Sequence, residues 1–274
     1  ARSTSGILAA FGTLEDVVNA AGKARSAGAV ACELLDRTFL EVASSEGKSP
    51  IAALATIPAN TEAVLLAEVE GANDSEAGRS AENLERAFSE SGATVTRVAL
   101  GSTEQHEIWE LRHAASPILS RLDPALKSMQ FVEDGAVPHE RLADYVRGVR
   151  SALEHYGVRG VIFGHAGDAH MHVNPLIDVS KPGWRDLVDG LLDDIVALTA
   201  ELGGTLTGEH GDGRLRTPLL GKMWDAQTLE LFSAVKRAFD PSGILNPGVK
   251  VPLAGQLPLG DIKYDPSLAP LPPR

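Results

Sequence analysis

Apolar residues recur along this chain with two periods, one of two residues and one of 3.6, and the alternation between them outlines the elements. Gly6–Phe11 is a nearly unbroken apolar run and predicts a strand. Thr13 and Asp16 have the spacing of a capping box, predicting a helix to about Ala27. Val30–Leu35 predicts a second strand, Arg37–Ser45 a short helix, and Ala63–Val69 a third strand, apolar on both faces and therefore central. A charged helix over Ser75–Ser91 is stopped by Gly92, and Thr94–Ala99 alternates as a fourth strand. Ser102 and Gln105 predict a further helix start, carried through Trp109 and Arg112, with Pro117 ending or kinking it.

The second half repeats this strand-helix order loosely. Met129–Val137 predicts a strand, and Pro138 opens a helix striped by Leu142, Tyr145, Val146, Val149 and Leu153. Strands follow at Val158–Phe163 and His170–Asn174. The helix from Trp184 to Leu202 has the clearest stripe, ended by Gly203-Gly204. Thr205–Thr207 predicts a short strand and Ala226–Ala238 a last helix. Residues 1–250 are expected to form one α+β domain. Its expected fold is ferredoxin-like, with antiparallel sheet flanked by helices, from the split strand-helix-strand order and short connections. Residues 251–274 contain six prolines and little periodicity, predicting a tail or linker.

Composition narrows the function classes. With 43% hydrophobic and 23% charged residues in 274, the chain can bury a substantial core. The formal net charge of −12 argues against nucleic acid or an anionic membrane as partner. One cysteine, Cys32, cannot form an intrachain disulfide and suits a reducing compartment. No signal peptide or bilayer-length apolar run is visible, so a cytoplasmic location is expected.

The chemistry concentrates between Gly164 and Gly213, which holds four of the eight histidines. His165 and His172 flank a Gly-containing turn between two predicted strands, and Glu209-His210 lies between glycines far along the chain. His165, His172 and Glu209 have the make-up of a two-histidine, one-carboxylate metal site with open positions. His210 would then be free to move protons. From the residues alone, the histidines could equally be satisfied structural ones, and Glu209-His210 a solvated turn. His170, two residues from His172 and on the same strand face, fits a third ligand, a second-sphere group or pocket lining. Arg112 and Ser116 share a helix face, with Lys127 after a loop. The trio could hold a carboxylate, Arg supplying the fork, although a solvated helix face accounts for it as well.

Three motifs in order carry a resemblance. These are Gly164-His165-Ala166-Gly167-Asp168 ending in Met171-His172, then Gly208-Glu209-His210-Gly211-Asp212-Gly213, and Phe239-Asp240-Pro241-Ser242-Gly243-Ile244-Leu245-Asn246-Pro247-Gly248. Together with Cys32-Glu33-Leu34-Leu35-Asp36 and Glu133-Asp134-Gly135-Ala136-Val137-Pro138, they resemble the C-terminal domain of FAD-linked oxidases. That family includes D-lactate dehydrogenases, glycolate oxidase subunits and D-2-hydroxyglutarate dehydrogenases. The chain departs from the family pattern at Ala169 and His170, where Gly and Asn are usual.

The resemblance implies that His165, His172 and Glu209 bind a divalent metal (zinc, manganese or iron) and that His210 takes the proton from a substrate hydroxyl. It implies that Arg112, Ser116 and Lys127 hold the carboxylate of a small 2-hydroxy acid, with His170 lining the pocket. Asn246 would lie in the segment returning towards the flavin. No Gly-x-Gly-x-x-Gly cradle opens a helix after a strand here. FAD is therefore expected on a domain of the same parent protein or of a partner subunit, and the chain alone is expected not to oxidise hydroxy acids. An electron-transfer partner fits the same picture. A metal-dependent hydrolase with His210 activating water, or a metal-stabilised binding or assembly module, is the alternative.

Overall fold

The strand-forming runs pair into one sheet whose central strands bury most of both faces beneath helices, while the edge strands are half-exposed. The computed structural model describes residues 2–46, 52–114, 126–260 and 262. In chain order they form β1 (Ser3–Phe11), α1 (Leu14–Ser26), β2 (Ala31–Asp36), α2 (Arg37–Glu46), β3 (Ala63–Gly71), α3 (Asp74–Glu90), β4 (Ala93–Ala99) and α4 (Ser102–His113). Next come β5 (Leu126–Ser128), β6 (Gly135–Ala136), α5 (Leu142–His155), β7 (Arg159–His165), β8 (His170–Asp178) and α6 (Trp184–Glu201). Two one-turn helices, α7 (Gly213–Arg216) and α8 (Leu220–Met223), precede α9 (Ala226–Phe239).

The sheet order is β4-β1-β3-β2-β7-β8-β5, with β6 on β8 and neighbouring strands antiparallel. Its first four strands have the ferredoxin-like order expected. The second half supplies a partial copy, β5-β8-β7 in place of β1-β3-β2. The copies meet edge to edge through β2 and β7, over Glu33↔His165, Leu34↔Gly164 and Leu35↔Phe163. Alternation along each strand feeds two cores. Helices α1, α3, α5 and α6 cover one face, burying Leu34, Leu65, Phe88, Val149 and Leu191; Phe11 meets Phe88 edge-on at 6.2 Å. On the other face α2 and α4 cover Leu35, Leu66, Phe163 and Leu176. Each such fully buried side chain contributes roughly 1.5–3 kcal/mol over the exposed state.

Local signals explain most boundaries. Thr13 caps α1, accepting from the Asp16 amide at 3.2 Å. Three expectations are corrected. Met129–Val137 is not one strand: β5 ends at Ser128, only Gly135–Ala136 pairs with β8, and between them Glu133 and Asp134 turn their carboxylates to distant partners. Thr205–Thr207 makes only a single bridge, Thr205 to Ala136. At α4, Glu104 rather than Gln105 reaches back, accepting from the amides of Leu100 (3.1 Å) and Gly101 (3.2 Å), while Gln105 donates to the Thr4 carbonyl at 2.9 Å. Pro117 lies outside the described residues. In the Pro-rich tail, the Gln256 amide group donates to the carbonyls of Arg214 and Gly248, and Leu259 is buried. No helix among the described residues is long and apolar enough to cross a membrane.

Candidate functional site

The seam between the two half-sheets sets the site. His165 ends β7 directly opposite Glu33 of β2, and a turn at 166–168 returns the chain to His170. That hairpin is tight. Gly164 has φ 149°, and a Cβ there would stand 2.7 Å from the His170 carbonyl oxygen. Ala169 takes a left-handed φ of 51°, uncommon for a residue with a side chain. Strand alternation then places His170 and His172 on one face, ring centroids 4.8 Å apart, as their spacing predicts.

The second cluster arrives on the loop after Thr207. Neighbours on a strand would point to opposite faces, so this loop must bend, and Asp134 bends it. The buried Asp134 carboxylate accepts both successive amides, Glu209 at 3.1 Å and His210 at 2.9 Å, and lies 2.8 Å from His170 Nε2. Gly208 permits the close pass: a Cβ on it would lie 2.5 Å from the His170 ring.

Three imidazoles converge on one carboxylate oxygen. Glu209 Oε1 is 3.5 Å from His165 Nε2, 3.3 Å from His172 Nε2 and 3.3 Å from His210 Nε2. The opposite ring nitrogens are anchored. His165 Nδ1 is 2.6 Å from Glu33 Oε1, His172 Nδ1 is 2.9 Å from the Glu133 carbonyl, and His210 Nδ1 is 3.1 Å from Glu133 Oε1. Arg112 donates from Nε to Glu33 at 2.8 Å and lies over the Phe163 ring at 5.0 Å. Buried Arg216 pairs with Glu133 and approaches Asp134 at 3.7 Å.

The electrostatics follow from these pairings. Burial pushes the Glu33 carboxyl up, but hydrogen bonds from His165 and Arg112 outweigh it and hold it below the usual range. Burial also opposes ionisation of Asp134, yet the His210 and Glu209 amides, His170 and Arg216 bring it below its ordinary value. The Glu33 hydrogen bond raises His165, whereas burial lowers His172. Four carboxylates (Glu33, Glu133, Asp134, Glu209) against two guanidinium groups (Arg112, Arg216) leave a formal excess of two negative charges around the imidazoles.

That donor set suits a divalent cation. Imidazoles with the far nitrogen held by carboxylate or carbonyl are the usual surroundings of metal-binding histidine. One ligand atom each from His165, His170, His172 and Glu209 lies within 4.8 Å of the others. His210 belongs instead to a second grouping with Asp134 and His172, stacked on His172 at 5.2 Å.

The structure thus brings His165, His170, His172, Glu209, His210 and Arg112 together. Lys127 stands apart on β5, opposite Ile177, five residues along β8 from His172, or about 17 Å by strand rise. Asn246 is exposed in the loop after α9, with a left-handed φ of 45°. Ser116 lies outside the described residues. Sequence reasoning assigned no role to Glu33, Glu133, Asp134, Arg216 or Asn174. The available signal was an acid inside an apolar run, at Cys32-Glu33-Leu34 and Phe131-Val132-Glu133-Asp134. Asn174 is two residues beyond His172 on the same face, buried, with no hydrogen-bond partner for Oδ1 among the described residues.

The fold recurs in solved structures. It matches 4-ethylphenol oxidase from Gulosibacter chungangensis with a TM-score of 0.66 and 15% identity, covering 91% of this chain and 54% of that one. p-Cresol methylhydroxylase aligns similarly, with a TM-score of 0.63 and 12% identity over 92% of this chain and 53% of the other. Residues 1–249 match the family "FAD linked oxidases, C-terminal domain", and the chain belongs to that family. Glycolate oxidase subunit GlcD of Escherichia coli (strain K12) is 33% identical over 195 residues, 71% of this chain and 38% of the relative. D-2-hydroxyglutarate dehydrogenase of the same strain is 38% identical over 148 residues, 54% of this chain and 14% of the relative. D-lactate dehydrogenase of Archaeoglobus fulgidus is 36% identical over 117 residues, 43% of this chain and 26% of the relative. The chain therefore spans well under half the length of these relatives.

Proposed function

We propose that this chain is the substrate- and metal-binding part of an FAD-dependent D-2-hydroxy acid dehydrogenase. The observation that carries this reading is the ring of imidazole Nε2 atoms around Glu209, anchored from behind and set beside Arg112, in a chain of this family. The named activities of the relatives, on glycolate, D-2-hydroxyglutarate and D-lactate, support a small 2-hydroxy acid as substrate.

His165, His172 and Glu209 hold a divalent cation, which when bound supplies a positive charge that favours loss of the substrate hydroxyl proton. Flavin on an FAD-binding domain of the parent protein or a partner subunit supplies the hydride acceptor. Arg112 binds the substrate carboxylate; with Nε committed to Glu33, the Nη edge of its fork is the part that does so. His210 removes the hydroxyl proton at Nε2. Glu133, accepting from Nδ1–H, leaves the lone pair on Nε2 and stabilises the imidazolium formed. Asn174, buried beside His172, orients the substrate through its side-chain amide. The FAD-binding domain covers the exposed apolar face of α9, where Leu231, Val235 and Phe239 follow one another at intervals of four, and the loop carrying Asn246.

The test is single-turnover flavin reduction by D-lactate, glycolate and D-2-hydroxyglutarate in the full-length protein. His210→Ala is expected to slow reduction by roughly 10²–10⁴-fold, the scale of a lost general base. Reduction at the wild-type rate would exclude His210 as the base.

A further inference from the structure

His170 differs from the other imidazoles in how it is held. It is buried, its ring packs against the backbone of Gly208, and Nε2 faces Asp134 at 2.8 Å. Asp134 already accepts from two backbone amides and approaches the Arg216 guanidinium, so towards His170 it acts as acceptor and Nε2 carries the hydrogen. In neutral imidazole the lone pair is then on Nδ1. A carboxylate holding one ring nitrogen while the other keeps its lone pair is the arrangement of a metal-bound histidine. His170 offers a ring nitrogen in the same 4.8 Å group as His165, His172 and Glu209, and its ring centroid is 5.5 Å from that of His165.

We infer that His170 is a third imidazole ligand, making this a three-histidine, one-carboxylate site rather than a two-histidine, one-carboxylate one. The inference rests on reading His165, His172 and Glu209 as a cation site. It also narrows the metal. Four protein ligands fill a four-coordinate ion and leave no position for substrate. A substrate hydroxyl can join only if the ion accepts five or six ligands, which favours Mn²⁺, Fe²⁺ or Co²⁺ geometry over tetrahedral zinc.

The probe is Co²⁺, whose visible bands report ligand number, titrated into the metal-free full-length protein. Wild type should bind one ion per chain with the weak bands of a five- or six-coordinate site. His170→Gln keeps a donor towards Asp134 but offers no imidazole lone pair. It should bind Co²⁺ at least about tenfold more weakly, with altered bands. His170→Ala should lose affinity likewise and regain the bands with added imidazole, a rescue that a merely structural role would not give. If His170→Gln matches wild type in affinity and spectrum while His172→Ala binds no metal, His170 is not a ligand and the cation-site reading stands. If wild type itself takes up no Co²⁺, both are overturned.

Discussion

Replacing Asp134 by Asn tests whether one buried carboxylate assembles the site. Asp134 is fully buried and serves the amides of Glu209 and His210, His170 Nε2 and the Arg216 guanidinium. Asn is nearly isosteric but has one acceptor oxygen and an NH₂ group. Whichever way the amide turns, a donor must face a donor: the two loop amides occupy separate oxygens, His210 on Oδ2 and Glu209 with His170 on Oδ1. At least one bond to a charged acceptor is lost, worth about 1.5–3 kcal/mol, and a buried N–H is left unsatisfied. Arg216 also loses part of its counter-charge, although Glu133 remains beside it. The sum is about 3–5 kcal/mol, the scale of breaking a buried ionic network. That is a large share of a typical net stability of about 5–15 kcal/mol. Urea unfolding at pH 7, followed by far-ultraviolet circular dichroism, measures it directly. A loss smaller than about 1 kcal/mol would refute the view that Asp134 carries this loop.

Burial pushes the Asp36 carboxyl from 3.8 up to about 7, against the opposing pull of the Phe39 amide and Arg150. The folded state therefore keeps a proton that the unfolded chain releases, and this group's contribution is full below about pH 4 and lost as pH rises towards 7. Asp36→Asn retains an acceptor for the Phe39 amide and should raise stability at pH 8 by up to about 4 kcal/mol, with no gain at pH 4; a pH-independent difference in Tm would contradict this. Gly208→Ala should displace the His170 ring and cost about 1–3 kcal/mol by overpacking, read as a lowered Tm; an unchanged Tm would show that the loop yields freely. Leu231→Ser with Phe239→Ser should leave the stability of this domain within about 0.5 kcal/mol, since both are exposed, yet loosen its association with the FAD-binding domain in analytical ultracentrifugation or limited proteolysis. Unchanged association would remove α9 from that interface.

Legibility in the sequence tracked the range of the forces involved. The stripes Leu142–Leu153 and Trp184–Leu198 are local, and both helices form where the period places them. The spacing of His170 and His172 is also local, so their shared strand face was readable. Glu133-Asp134 was not, because an apolar run with two acids reads as an alternating strand. Only the distant Arg216, His170 and His210 supply the reason for the chain to leave the ladder there. Glu33 was hidden for the same reason: nothing near it in sequence announces that β7 will lie alongside and set His165 opposite it. Lys127 is a further case: its place on β5 opposite Ile177 is set by pairing with β8 and not by anything near it in sequence.

The joining of two like units through their equivalent second strands, β2 and β7, has a geometric consequence. Antiparallel pairing of equivalent strands generates an approximate twofold axis at the seam, near Leu34 and Gly164. Every position beside that axis has a mate across it. On one side the β7–β8 connection is the tight hairpin bearing His165 and His170. On the other, the β2–β3 connection runs from Arg37 to Glu62 and carries α2, with Phe39, Leu40 and Val42 buried. One copy of the loop carries imidazoles and the other a helix with buried apolar side chains, and Glu33 reaches across the axis from the helical copy to hold the first imidazole of its counterpart. Neither half-sheet alone contains the full shell. A chain cut between α4 and β5 would yield two fragments that regain His165's partner only by re-forming those three rungs.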